Sequence, residues 1–266
     1  MKKRINVKDF GPWAIITGAS SGIGKEFALQ LSQKGINLVL VARRLNVIEE
    51  LGKSLNERFG IEYRCIQLDL SQPDGFQKII DNTLEIDIGL LISNAGTGRP
   101  GRLIERDSTD LSEIIHLNGL SHFWLAHYYA KVFAKRCRGG IFITGAMGAT
   151  GGVPYMAAES GTKAFVEGFG KALNWELMGK GVHVTVLITP PTDTKVLGEL
   201  GFKSVEMRSM PIVPVQQCVK ESIKALEQNQ ASIIPGRFFR VMNTLVPEKM
   251  SRNKMGNILK LNNNIL

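Results

Sequence analysis

The sequence predicts an α/β fold: a doubly wound, seven-stranded parallel sheet with helices on both faces. Seven short apolar runs alternate with helical segments, an order that calls for crossover connections and therefore a parallel sheet. A glycine-rich turn joins the first run directly to the first helix. The 266 residues, 44% hydrophobic and 21% charged with no low-complexity tract, suit one soluble domain with a substantial core, spanning 1–266.

In chain order the strands are expected in "WAIITG" from 13, "NLVLVA" from 37, "IEYRCIQLDL" from 61, "IGLLIS" from 88, "GIFITG" from 140, "VHVTVLI" from 182 and "ASIIP" from 231. Right-handed crossovers between them place ligands beyond the carboxyl ends of the strands, so function gathers in the loops that follow each run. Between 190 and 214 prolines and glycines break the alternation, which reads as a loop with short helices and a candidate substrate lid. Its Val196, Leu197, Leu200, Phe202, Met207 and Met210 fit an apolar small-molecule substrate, although a lid also needs apolar residues simply to dock. From 237 to 260 basic and apolar residues alternate in a helical extension that covers the domain, with docking on a membrane or partner as the lesser alternative.

A net charge of +9 suits an anionic ligand, but no basic run with interleaved aromatics points to nucleic acid. Three widely spaced cysteines fit reduced thiols and a cytoplasmic setting. The four histidines lack metal-ligand grouping and are expected to be structural, so no metal is assigned. No signal-peptide pattern and no transmembrane segment is expected from the apolar runs.

The turn "TGASSGIG", Thr17 to Gly24, follows the first strand and opens a helix at "KEFALQLSQ". Gly18 permits the tight turn, Gly22 lets backbone approach a pyrophosphate, and Gly24 lets helix and strand pack closely. Ser20, Ser21 and Ile23 complete a dinucleotide-binding loop at a helix amino terminus. After the second strand "VLVARR" offers no acidic residue to a ribose hydroxyl. Arg43, with Arg44, can instead pair with a 2′-phosphate, which points to NADP.

With these motifs the chain resembles the short-chain dehydrogenase/reductase family, a Rossmann-fold family, from about Gly11 to the last strand. Thr17 to Gly24 match its TGxxxGxG signature, Asp69 in "LDL" its adenine-contacting Asp, and Asn94, Ala95 and Gly96 its "NAG". Asn118 in "HLNG" falls where the family keeps a helix Asn, and Lys163 fits the Lys of its YxxxK motif, which also holds the cofactor ribose. The resemblance then puts Glu159 in the Tyr slot and Ala146 in the Ser slot thirteen residues before it. Thr189-Pro190 stands where the family carries Pro-Gly against the nicotinamide, and proline offers no amide donor there.

A carboxylate beside Lys163 accepts and has no proton to give. From the resemblance we therefore expect an NADP-binding protein with non-redox or altered chemistry, in which Glu159 acts as acid/base with Lys163 and Asn118 in support. The alternatives are a binding scaffold without turnover, or an NADPH-dependent carbonyl reductase using another donor. Tyr155, four residues before Glu159, is a candidate if both share a helix face; Thr144 reads as structural. The family also implies a homodimer or homotetramer, with the aromatic-rich helix "HFWLAHYYAKVF" at the interface or in the core.

Overall fold

A computed structural model describes residues 6–200, 211–263 and 265. All seven expected strands form: β1 Trp13–Thr17, β2 Asn37–Ala42, β3 Tyr63–Gln67, β4 Ile88–Ser93, β5 Gly139–Thr144, β6 Val182–Leu187 and β7 Ser232–Ile233. They make one parallel sheet in the order β3-β2-β1-β4-β5-β6-β7. The order reverses between β1 and β4, so the crevice of an open α/β sheet lies beyond their carboxyl ends.

Successive side chains of a strand point to opposite faces, and here both faces are apolar. Along β2, Leu38 and Leu40 enter one core while Val39 and Val41 enter the other. The first core is closed by α1 (Gly22–Gln33) and α2 (Leu45–Phe59), through Phe27, Leu31, Ile48 and Leu55. Leucine and valine positions of a later helix, Val215–Glu227, complete it. The second core is closed by α3 (Gly75–Asp81), through Ile79, and by two longer helices carrying Leu125, Tyr129, Phe133 and Val166. Those helices are reached from α4 (Ser108–Ile115) by a π-helical turn, His116–Leu120, that runs into α5 (Ser121–Lys135); α6 is Ala157–Glu176.

Local chemistry sets the ends of these elements. Asp107 caps α4 by accepting from the Thr109 amide, and α2 stops at Gly60 in the left-handed conformation (φ +67°), whose N–H bonds the Asn56 carbonyl. After the sheet's sixth strand come α7 (Lys195–Glu199) and α8 (Val215–Glu227), then α9 (Arg237–Leu245) and α10 (Glu248–Asn262). The C-terminal extension is thus two helices rather than one, parted at Pro247, whose fixed φ starts the second and cannot continue the first. A third, small apolar cluster joins the second of them to the loops above the sheet. Leu197 of α7 and Leu259 of α10 pack there with Tyr155, Met156, Leu200, Ile212, Met255 and Ile258. Of the segment 190–214 expected to form a lid, Leu197, Leu200 and Ile212 pack in this cluster; Phe202, Met207 and Met210 lie outside the described residues.

Phe142 of β5 and Phe27 of α1 are both fully buried, with ring centroids 4.9 Å apart, and hold helix to sheet beside the glycine-rich turn. Phe142→Ala is expected to cost about 3–5 kcal/mol, read as a lower denaturant midpoint at unchanged slope.

Candidate active site

The carboxyl ends of the central strands are tied together before any ligand enters. Thr17, buried at the end of β1, accepts at Oγ1 from the amides of Asn94 (2.8 Å) and Ala95 (3.0 Å) beyond β4. Asn94 donates from Nδ2 to the Thr17 carbonyl (3.2 Å) and accepts at Oδ1 from the Thr144 hydroxyl of β5 (3.2 Å). One asparagine therefore spans three strand ends.

Around this knot the expected dinucleotide loop takes a shape that fits an anionic group. Gly18 has φ +67°, and a β-carbon at Gly24 would collide with the Gly18 carbonyl oxygen, so only glycine lets α1 start this close to β1. Ser21 precedes α1 without capping it through its side chain, and the first turn, through Ile23, holds no acidic residue. The amide donors and positive dipole end at Gly22 thus remain available to a pyrophosphate. Arg44, exposed at the end of β2, donates from Nη2 to the Ser20 hydroxyl (3.0 Å), which draws a guanidinium over the loop; Arg43 is exposed beside it. Asp69 follows β3 and accepts at Oδ1 from the Ser71 amide (3.0 Å).

The π-helical turn carries Asn118 into the same site. Turns of this type occur where a helix widens for a functional group, and Asn118 is fully buried. Its side chain pairs with the backbone of Thr97 in both directions, accepting from the amide (2.9 Å) and donating to the carbonyl (2.8 Å). Gly96 lies against it, with the direction of its missing β-carbon pointing 3.2 Å from Asn118 Oδ1 and 3.4 Å from Lys163 Nζ. Asn118, Gly96 and Lys163 are therefore neighbours, as the family pattern implies.

Lys163 donates from Nζ to the Thr144 carbonyl (2.7 Å), and its ammonium lies 3.3 Å from His122 Nε2. Burial pushes its pKa down from 10.5 to about 7. His122 was expected to be an ordinary structural histidine; it is instead in contact with the site lysine, and its Nδ1 lies 2.7 Å from the Ser93 hydroxyl. Burial, and then the charge of Lys163, hold this imidazole well below its ordinary pKa.

Glu159 departs from the expectation that it works beside Lys163. Its side chain is buried, and Oε1 accepts from Arg106 Nη1 (3.0 Å) and from the Arg99 amide (3.1 Å). Arg106 also donates to Asp110 from Nε and Nη2 and to the Arg99 carbonyl, while Arg99 makes its own ion pair with Asp110. Burial pulls the Arg106 guanidinium down, but its bonds to Asp110 and Glu159 outweigh this and hold it above its ordinary value. Asp110 is lowered chiefly by its bond to Arg106. The carboxylate thus clamps the loop after β4 to α6. The physical reason is proximity: a long guanidinium reaches it from α4's approach while the Lys163 side chain is drawn to the strand ends.

Tyr155 is not on the helix face of Glu159, because α6 begins only at Ala157 and Tyr155 itself has φ +63°. Its carbonyl accepts from the Gly101 amide and its side chain packs in the third apolar cluster. Thr189 bonds the Gly145 carbonyl through its hydroxyl (3.0 Å) and accepts from the Met147 amide, which fastens the turn after β6 to the one after β5. Among the described residues, no group of His, Cys, Asp or Glu is arranged to hold a metal ion, and no helix is long and apolar enough to cross a membrane.

Residues 12–203 match the short chain dehydrogenase family. A very-long-chain 3-oxoacyl-CoA reductase of Neurospora crassa is 31% identical over 233 residues, 86% of this chain and 68% of that protein. In other relatives of the same description the chain spans as little as 54% of the length. A 7β-hydroxysteroid dehydrogenase structure is similar with a TM-score of 0.88, at 25% identity over 95% of this chain and all of the other. A short-chain dehydrogenase of Sphingobium yanoikuyae in complex with NADPH gives 0.78, at 27% identity over 91% and 96%. Likeness to named reductases over this much of the chain overturns the expectation of non-redox or altered chemistry and that of a scaffold without turnover. It favours an ordinary oxidoreductase with a nicotinamide cofactor. The chain belongs to the short-chain dehydrogenase family.

Proposed function

We propose that this protein is an NADPH-dependent reductase of ketones carried on apolar acyl chains. The observation that carries the reading is the isolation of Lys163. Glu159 is committed to Arg106 and the Arg99 amide, whereas the buried ammonium directs two hydrogens at Thr144 and His122 and keeps a third for a ligand. Support for the substrate class comes from the relatives described as 3-oxoacyl-CoA reductases. The apolar cluster that holds Leu200 and Met156 supports it too, since a β-carbon placed on Gly98 would lie 3.1 and 3.3 Å from those two side chains.

Bound NADPH supplies the hydride to the ketone carbon. As the C=O electron pair moves onto oxygen, Lys163 gives that oxygen a proton, is left as the neutral amine, and is reprotonated from water. A donor whose pKa lies near the operating pH suits this transfer, and burial has moved Lys163 to about 7. Asn118 holds the 94–97 loop beside the lysine, and Glu159 acts through its clamp on the wall of the site. Gly18, Gly22 and Gly24 accommodate the pyrophosphate; Asp69 serves the adenine, and Asn94, Ala95 and Gly96 line the nicotinamide ribose. Arg43 and Arg44 favour the 2′-phosphate of NADP, and a similar structure is in complex with NADPH.

Ile115, Trp124 and Phe165 are each exposed by more than 40% around a shallow groove lined by Gly119, Leu120, Gly161 and Thr162. This face supports a homodimer or homotetramer. Three free cysteines support a reducing, cytoplasmic setting.

Incubation with a 3-oxoacyl thioester is expected to consume NADPH, and Lys163→Met to lower kcat about 100- to 10,000-fold. Binding of both ligands by the wild type without NADPH loss would refute the reading. Reduction should slow as pH rises through about 7, where the ammonium is lost. Stability has the opposite sign: between about 7 and 10.5 the unfolded chain binds the extra proton, so Lys163 makes the protein more stable as pH rises, a slope absent in Lys163→Met. Replacing Arg43 and Arg44 together with Ala should raise the KM for NADPH about 10-fold or more and leave that for NADH nearly unchanged. Arg106→Ala, which strands a buried carboxylate, should cost about 3–5 kcal/mol, with Glu159→Gln in the same chain restoring part of the loss in chemical denaturation.

A further inference from the structure

We propose that His122, with Ser93 behind it, is a positioning pair that aims the Lys163 ammonium; the inference rests on the reading of Lys163 as proton donor. All three side chains are buried, and they come from three elements: α5, the end of β4, and α6. Nζ of Lys163 is 3.3 Å from Nε2 of His122, and Nδ1 of His122 is 2.7 Å from Oγ of Ser93.

The protonated state of Lys163 sets where the ring proton goes. As an ammonium it has only donors, so in that state Nε2 accepts. The single proton of the neutral ring then sits on Nδ1 and is donated to the Ser93 hydroxyl. The Ser93 hydroxyl, which can accept that proton, suits the tautomer in which Nε2 accepts from lysine. Burial, and then the lysine charge, oppose protonation of the ring, which would turn it from acceptor into repelling cation.

An apolar side chain could fill this space with no polar atom to satisfy. A histidine here gives the flexible lysine a second fixed acceptor besides the Thr144 carbonyl. Two hydrogens on fixed acceptors determine the direction of the third, toward the side occupied by Gly96 and Asn118. The charged groups near the ring are accounted for from each element: Lys163 of α6 faces it, while Glu159 of α6 is turned to Arg106. β4 and β5 present the neutral Ser93 and Thr144.

His122→Phe keeps a ring of similar size and removes the acceptor. It is expected to lower kcat about 10- to 100-fold, the loss that follows a misaimed catalytic group, with KM for the ketone and NADPH little changed. The pH midpoint of kcat should move down, because the ammonium has lost a partner that favours its charged form. His122→Gln, which can present an amide oxygen, should restore much of kcat and return the midpoint. Wild-type kcat and midpoint in His122→Phe would overturn the proposal, as would a Gln variant with kcat and midpoint no better than those of Phe. If His122→Phe does not fold, Ser93→Ala is the second probe: a fall in kcat supports the pair, and an unchanged kcat and midpoint overturns it. Nitrogen NMR of His122 without substrate separates this inference from the reductase reading. A proton on Nδ1 is expected whether or not turnover is seen, and a proton on Nε2 would refute the pair even in an active enzyme.

Discussion

A carboxylate cannot stay buried at the mouth of a site without a cation, and the ion pair to Oε1 of Glu159 organises the space around it, while Oε2 stays buried with no hydrogen-bond partner. Arg106 reaches the carboxylate from the segment leading into α4, and is in turn braced by Asp110 one turn on and by the Arg99 carbonyl. Breaking such a pair leaves an uncompensated buried charge, so the loop from Thr97 to Arg106 is held as a wall against α6. Gly98 sits inside that wall, close enough to Met156 and Leu200 that the apolar roof rests directly on it. Through Oε1, Glu159 fastens this loop to α6.

With the carboxylate spoken for, two opposite charges one helical turn apart on α6 serve different neighbours. Lysine and glutamate at this spacing ordinarily pair. Here the lysine side chain bonds the end of β5 and meets a neutral imidazole, which leaves a buried cation with no carboxylate of its own among its bonded partners. Such a cation is costly in the empty protein and well matched to a cofactor that brings negative charge. The open amino terminus of α1 and the arginines after β2 extend the same electrostatic preference along the crevice.

The sheet was legible because each strand is an apolar run bounded by turn residues, and every one of the seven forms where those runs lie. The glycine turn was equally legible, since Gly18 and Gly24 answer to steric needs a few residues apart. The partners of the site were not. Arg106 stands 53 residues from Glu159 and His122 stands 41 from Lys163, distances that only the fold closes. Arg106 and Asp110 are four residues apart, but nothing local says that the same guanidinium continues to α6. Counting alone leaves open whether Tyr155 shares a helix face with Glu159; the start of α6 at Ala157 and the positive φ of Tyr155 put it off the helix. The replaced motif positions Ala146 and Glu159 suggest altered chemistry locally, whereas the likeness to reductases extends over most of the chain.

The five-residue turn at His116–Leu120 sets a limit on how this protein can vary. A regular helix advances about 100° per residue, so one residue removed from or added to this stretch would rotate all of α5 relative to α4. Asn118 would then no longer face the backbone of Thr97, or His122 would swing out from beneath Lys163. Surface loops of the same fold absorb changes in length with little effect. This interior segment has its length locked by phase, and its spacing is as much a part of the site as the side chains it carries.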